Sequence, residues 1–331
     1  MKAEFLQHWY NEHGIPLRTR VIANISNINR LGSFFPSFTN FLLSNKSTSR
    51  LMKSFLGMAH ERSLPLLTKQ SLKKWVQNNE SSMQPKQNKG SLVLFIDEFT
   101  HFNDTHIGIT TIRLLTKLGY QVEIVPNLES GRAYLSKGML IKAKKIAVGN
   151  VLMLNEIITL EKPLVGIEPS AILSFRDEYP DLVGPELKEK AKTLAKNTFT
   201  IEEFLSKEME KGAIVKNLFT DEPKKIILHG HCQQKAIAST LPTKTILSFP
   251  TNYSVEEIPS GCCGMAGSFG YEKEHYAVSM QIGELVLFPE IRKTVPEITI
   301  SAPGTSCRHQ IADGTGRKAL HPVEVLFEAM I

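Results

Sequence analysis

The residues best equipped for chemistry in this chain of 331 amino acids are its four cysteines, Cys232, Cys262, Cys263 and Cys307. Cys262 and Cys263 are adjacent, inside the glycine-rich stretch Ser260-Gly261-Cys262-Cys263-Gly264-Met265-Ala266-Gly267-Ser268-Phe269-Gly270. The other two stand one on each side, in His229-Gly230-His231-Cys232 and in Gly304-Thr305-Ser306-Cys307-Arg308-His309. All lie in polar, loop-like sequence rather than on an apolar face, which is the pattern of a ligand set. Thiolates are the usual ligands of iron–sulfur clusters and of structural zinc, and glycines let backbone amides approach and hydrogen-bond the sulfurs. Neighbouring residues on a strand point to opposite faces, so Cys262 and Cys263 serve one centre only from a turn, which Gly261 and Gly264 permit. Three chemistries stay open on these residues alone: an iron–sulfur cluster, a tetrathiolate zinc site with a structural role, and a metal-free vicinal dithiol doing thiol–disulfide exchange.

The surroundings of the cysteines supply candidate supporting groups. His229 and His231 flank Gly230, and His309 stands two after Cys307, each able to ligate metal, carry protons or satisfy backbone groups. Gly261, Gly264 and Arg308 complete this outer set. Arg132, Arg176 and Arg308 can hold an acidic substrate, offset cluster charge or form structural ion pairs. His321, in Leu320-His321-Pro322, reads as a helix start. No residue is assigned a catalytic role.

The elements that must position these groups follow an α/β order. Residues 1–78 read as short helices broken by Gly, Pro and Ser, including 48–60 and a helix capped by Thr68 over 68–77. Residues 79–90, rich in Asn, Gln, Ser, Lys and Pro, read as a linker. Then 92–96 is a buried strand, 105–118 a helix ended by Gly119, 121–125 a strand, a helical stretch runs to about residue 160, and 163–167 is a strand. Residues 180–222 are helical and charged. The order recurs: a strand at 225–228, a helix to 239, a strand at 244–249, the glycine loop, a helix over 272–288 and a strand at 298–302. Overlaying the halves places Cys262-Cys263 near Glu129-Ser130 and Cys307 at Ala171. The predicted fold is α/β, two pseudo-symmetric open parallel-sheet (Rossmann-like) units after an α-helical N-terminal segment. The expected division is a helical segment with linker over 1–90, a cysteine-depleted unit over 91–200 and a cysteine-bearing unit over 201–331. All cysteine loops then lie beyond the carboxyl ends of strands, where open α/β sheets place their ligands.

Composition bounds the function. The 42% hydrophobic content suits one or two sizeable cores. No apolar run reaches the roughly 18 residues of a spanning helix, and the start has no signal-peptide pattern, so a cytoplasmic, reducing location is expected. The net charge of +6 is uneven: residues 1–90 hold thirteen Lys and Arg against four Glu, a local charge of +9. Such a segment suits an acidic partner domain or peripheral attachment to a membrane; no nucleic-acid motif accompanies it.

The cysteine pattern resembles the cysteine-rich "CCG" domain family. The motifs carrying the resemblance are Leu228 to Ala236, Ser260 to Tyr271, and Gly304-Thr305-Ser306-Cys307-Arg308-His309-Gln310-Ile311, within about residues 90–331. That domain occurs in duplicate in the B-subunit of heterodisulfide reductase, in the C-subunit of anaerobic glycerol-3-phosphate dehydrogenase, and at the C-terminus of long FAD-linked 2-hydroxy-acid (D-lactate/glycolate-type) dehydrogenases, the group this chain looks most like. The resemblance implies a [4Fe-4S]-type cluster on Cys232, Cys262, Cys263 and Cys307 that relays electrons in an oxidoreductase. It also implies partners: a flavin-containing (FAD) dehydrogenase domain or subunit and a ferredoxin-like module, neither of which has a signature here. Two departures mark this chain. The final motif lacks a second cysteine after Cys307, and the first half offers Glu129, Ser130 and Ala171 where other members have cysteines, so one centre per chain is expected.

Overall fold

A computed structural model of the chain describes residues 1–125 and 128–331. The N-terminal part forms α1 (Lys2–His13), α2 (Leu17–Ala23), α3 (Ile25–Gly32), α4 (Pro36–Ser44), α5 (Lys46–Leu56) and α6 (Leu72–Asn79). A four-stranded parallel sheet follows, made of β1 (Gly90–Phe95), β2 (Tyr120–Glu123), β3 (Leu164–Gly166) and β4 (Thr198–Thr200) in the order β2-β1-β3-β4. Its connecting and flanking helices are α7 (Glu98–Phe102), α8 (Thr105–Leu118), α9 (Arg132–Ser136), α10 (Leu140–Leu154), α11 (Pro169–Ile172), α12 (Tyr179–Leu182), α13 (Lys188–Lys196) and α14 (Ile201–Glu210). A second parallel sheet runs β6-β5-β7-β8, from β5 (Lys224–Leu228), β6 (Tyr253–Glu257), β7 (Thr299–Ser301) and β8 (Ala319–Leu320). Its helices are α15 (Cys232–Ile237), α16 (Leu241–Leu247), α17 (Tyr276–Leu285), α18 (Leu287–Arg292), α19 (Thr305–Thr315) and α20 (Pro322–Glu328).

The unbroken apolar run of β1 buries both faces of its strand, with alternate residues going to different cores. Leu92 and Leu94 join a cluster that also holds Ile226 and Leu228 of β5 and Val323, Val325 and Leu326 of α20, while Val93 and Phe95 pack with α10, α12 and α13 residues. The two sheets therefore share one core. In that shared layer α8 packs on α20 and α14 on α16. Helix starts in both halves use side-chain caps. Thr200 and Glu203 form a capping box on α14, and His321 with Glu324 forms another on α20.

Four expectations need correction. Residues 244–249 are not a strand: α16 occupies Leu241–Leu247, started by Pro242 and burying Ile246 and Leu247. The strand is β6, an edge strand that alternates buried Tyr253 with exposed Ser254 and Glu256, a pattern polar enough to read as loop. The helix over 272–288 is two, broken at Val286 (φ −144°), where the Phe288 ring packs so close to Gly283 that a Cβ there would sit 2.4 Å from it. Ser71, not Thr68, caps α6, and the Thr68 hydroxyl instead pairs with Thr105 Oγ1 at 2.7 Å. Nor is 79–90 a free linker: Met83 is buried in the shared core, and Lys89 N donates to Gly119 O at 2.8 Å. The short strands β4 and β8, at three and two residues, give no pattern long enough to read.

The N-terminal helices are tied to both sheets. Leu72 of α6 is fully buried in the shared core. The segment after α5 straps the second half: Ala59 N donates to Tyr271 O at 2.8 Å, and Met58 bridges Glu272. Arg62, almost wholly buried, donates through Nε to Gly270 O at 2.7 Å and through Nη2 to Ser279 Oγ at 2.8 Å, and pairs with Asp313 at 3.3 Å. A buried guanidinium is stable only when its donors are used this fully.

Candidate metal centre

The three cysteine loops leave the carboxyl ends of strands in the second sheet, and each enters a helix or a glycine turn. After β5, His231 is the N-cap of α15, its side chain accepting from Gln233 N at 3.2 Å, and Cys232 is the first residue of that helix. After β7, Gly304 precedes α19 and puts Cys307 in the first turn, where unpaired backbone N–H groups favour a thiolate. Between them the loop after β6 folds back at Gly264 (φ +98°), whose N–H donates to Cys262 Sγ at 3.3 Å. Ala266, with φ +41°, is the one non-glycine in the left-handed region among the described residues and continues the same turn. A turn of this kind is what two adjacent cysteines need to face one centre.

Neighbouring thiols influence one another in the order Cys232, Cys262, Cys263, Cys307. None is in a disulfide. Accessibility is graded: Cys232 is exposed, Cys262 half-buried, Cys263 and Cys307 buried. The protons are shared unequally. The neighbouring thiols of Cys232 and Cys263 draw Cys262 down, and Cys263, with His229 alongside, draws Cys307 well below its ordinary value. The neighbouring Cys262 pushes exposed Cys232 up, and Cys262, Cys307 and burial together push Cys263 up.

His229 belongs to the site itself. A ring nitrogen of His229 and the sulfurs of Cys263 and Cys307 lie within 4.8 Å of one another, a grouping able to hold a metal ion. Its Nδ1 contacts Ser260 Oγ at 2.8 Å, while Nε2 is buried without a hydrogen-bond partner. A buried, orphaned imidazole nitrogen beside thiols matches the donor set of iron–sulfur and zinc sites, which favour sulfur and nitrogen over oxygen.

The remaining outer residues play distinct parts. His231 packs against Gly304 so closely that a Cβ on Gly304 would meet its Cδ2 at 2.4 Å and Cys307 Sγ at 3.3 Å. A Cβ on Gly264 would collide with Ser279 O at 2.3 Å, whereas Gly261 faces open space and has no such requirement. Arg308 is structural: it pairs with Asp104 at 2.6 Å and donates to Ala302 O and Pro303 O. His309 lies in the same helix, its pKa lowered by burial, outside the His229–Cys263–Cys307 group. Of the other two arginines singled out, Arg132 pairs with Glu178 and Arg176 with Glu203.

The first half walls the site with carboxylates. Glu168, N-cap of α11, accepts from Thr305 N at 2.8 Å and lies 4.0 Å from His231 Nε2. Asp104 accepts from Thr305 Oγ1 at 2.8 Å. Glu129 turns away to Ser26, and Ser130 bonds Glu98, so that loop does not reach the thiols. The likeness of the two halves points to these loops, 97–106 and 168–171, as walls of the site, and Asp104 and Glu168 stand there against Thr305.

Fold and site together define an α/β protein of two parallel sheets with its four cysteines in the loops after the strands of the second. No protein-family model matches the chain. It is 28% identical over 337 residues to D-2-hydroxyglutarate dehydrogenase of Escherichia coli, covering 99% of this chain and 32% of that protein. The Pseudomonas putida D-2-hydroxyglutarate dehydrogenase is 26% identical over the same shares of each chain. The C-subunit of anaerobic glycerol-3-phosphate dehydrogenase of Escherichia coli is 24% identical, with 95% of this chain and 77% of that protein covered. The chain thus spans about a third of the length of the D-2-hydroxyglutarate dehydrogenases it matches. Among the described residues no helix is long and apolar enough to cross a membrane.

Proposed function

We propose that this chain is the electron-transfer module of an oxidoreductase acting on a 2-hydroxy acid, with one [4Fe-4S]-type cluster held by Cys232, Cys262, Cys263 and Cys307. The observation that carries this reading is the buried grouping of Cys263, Cys307 and a His229 ring whose Nε2 is orphaned, with the free thiols of Cys262 and Cys232 graded outward to solvent. When bound, a cluster supplies reversible one-electron transfer. The protein's residues do the rest. Gly264 N and the first turns of α15 and α19 stabilise sulfur charge, Gly304 admits His231 and Cys307 to one spot, and exposed Cys232 leaves one side open to a donor. The dehydrogenase names of the relatives, and the match to only a third of the D-2-hydroxyglutarate dehydrogenases, support a dehydrogenase unit as partner, flavin-bearing in this reading, with a ferredoxin-like module as the further partner that the cysteine motifs' resemblance implies. Free thiols suit a reducing, cytoplasmic compartment.

In this reading the molecule is a duplicated Rossmann-like unit. Both sheets share one strand order, and α14 follows β4 as α20 follows β8, each with a capping box. The first copy accordingly runs from residue 91 through α14, ten residues past the boundary at 200, and the second from there to 331. Structural zinc is a second reading, favoured by the mixed sulfur and imidazole grouping. Anaerobic purification with iron, sulfide and zinc analysis decides between them. Iron with sulfide and a visible spectrum that bleaches on reduction is expected; stoichiometric zinc without sulfide would replace the electron-transfer reading.

A further inference from the structure

Helices α3 to α5 are inside out. A helix packed on a globular protein turns its apolar stripe inward. Here the buried residues of α5 are Ser49 and Lys53, while Leu51 and Phe55 are 74% and 75% exposed. The inward polar groups are satisfied: Lys53 Nζ donates to Arg62 O at 2.6 Å, and Asn29 of α3 donates to Asn103 Oδ1 at 2.9 Å. The outward groups are Leu31 at the end of α3, Phe35, Phe38 and Phe41 around α4, and Leu51 and Phe55 on α5, all exposed, with α4 and α5 packed side by side. Singly exposed apolar residues are ordinary, but a run of six large ones on adjoining helices marks an interaction surface.

We propose that this face is the docking surface for an acidic, flavin- or cluster-bearing oxidoreductase unit that exchanges electrons with the cysteine site; the identity of that unit rests on the function proposed above. Charge points to the occupant. Residues 13–60 contain six Lys and Arg and no Asp or Glu; Lys53 turns inward and Arg18 pairs with Glu274, which leaves Arg20, Arg30, Lys46 and Arg50 exposed as positive charges that steer an acidic protein onto the apolar centre. Polypeptide outside this chain points the same way. The D-2-hydroxyglutarate dehydrogenases match 99% of this chain, these helices included, with a third of their own length, so in them a larger body of protein accompanies the same segment. Position links the face to the site. The strap that leaves α5 bonds Tyr271 and Gly270 at the far end of the Cys262–Cys263 loop, and Arg18 of α2 pairs with Glu274 just beyond it.

The test places a photo-crosslinking benzoylphenylalanine at Phe38 or Leu51 of the full chain in its native cells, with exposed Leu160 as the control position. Adducts at Phe38 and Leu51, absent at Leu160, with a protein that mass spectrometry identifies as acidic and that carries flavin or iron–sulfur are the expected result. A Phe41→Asp, Phe55→Asp double variant, checked for unchanged circular dichroism, lowers their yield about tenfold. Adducts to phospholipid, or flotation of the chain with phosphatidylcholine–phosphatidylglycerol vesicles, would overturn the proposal in favour of a membrane surface. Adducts to a second copy, or none above the Leu160 background, would overturn it as well. The two readings fail separately: iron-free protein sinks the electron-transfer assignment whatever the adduct, whereas a wrong adduct on iron-loaded protein sinks only the docking surface.

Discussion

At the scale of single residues, Cys263 and Cys307 are the innermost thiols and share His229, so their loss should be least compensated. Cys263→Ser and Cys307→Ser are expected to lose most of the bound metal, read by elemental analysis, while Ser130→Ala, at the corresponding loop of the first half, keeps it. Full metal retention in either cysteine variant would remove that residue from the ligand set. Gly304→Ala should act on the same readout without touching a ligand, because its Cβ would overlap His231 and press on Cys307. A pH effect lies at the seam, where fully buried Glu202 and His321 stand 3.8 Å apart. Burial, with Glu203 and Glu168 nearby, raises Glu202 to about 7 from 4.5. The folded protein therefore holds a proton that the unfolded chain releases, and stability falls as pH rises from the lower value through the upper, by about 3 kcal/mol. Burial lowers His321, which works oppositely: stability falls as pH drops below 6.5. Urea unfolding at about pH 5 and about pH 8 should show that Glu202→Gln flattens the decline on going to the higher pH; an unchanged slope would refute the assignment.

At the scale of elements, the sequence was most legible where pattern and punctuation agreed. The buried run of β1 and the helix closed by Gly119 are plain in the residues, since both faces of β1 are apolar and Gly119 takes the left-handed C-cap at φ +103°. The glycine loop was legible for the same reason: two cysteines cannot share a centre from an extended strand. Legibility ended where tertiary context decides. β6 is an edge strand with two glutamates, β8 has two residues, and α16 takes its Ile246-Leu247 pair into the core from a sequence that reads equally well as a strand. The wall of the site was legible as loops, 97–106 and 168–171, from the likeness of the two halves, but that Glu168 and Asp104 are the residues bonded to Thr305 depends on how the halves pack. Arg62 was unremarkable in sequence yet ties three elements. Arg62→Ala should cost about 3 kcal/mol in urea unfolding, since it strands Asp313 and Gly270 O without their buried partner. A change within a few tenths of that of a surface substitution would show the strap to be dispensable.

At the scale of the whole molecule, the N-terminal helices are part of the folded body on their inner side and an unfinished interface on their outer side. A linker over 79–90 and a division at residue 90 would make the first segment separable, but Leu72 and Met83 lie in the shared core, where each buried side chain of this kind contributes roughly 1.5–3 kcal/mol. A chain starting at Ser91 is therefore expected to be insoluble or to unfold at markedly lower urea than the full chain. The central claim is that the seam between the two sheets carries one redox-active cluster. Its most direct measurement is electron paramagnetic resonance during a reductive titration of anaerobically purified full-length protein, with iron and acid-labile sulfide determined on the same sample. The account predicts about four iron and four sulfide per chain and a paramagnetic signal that appears or vanishes reversibly with potential. Protein that is fully loaded with zinc, or that stays free of metal while its thiols titrate as a dithiol, would contradict it.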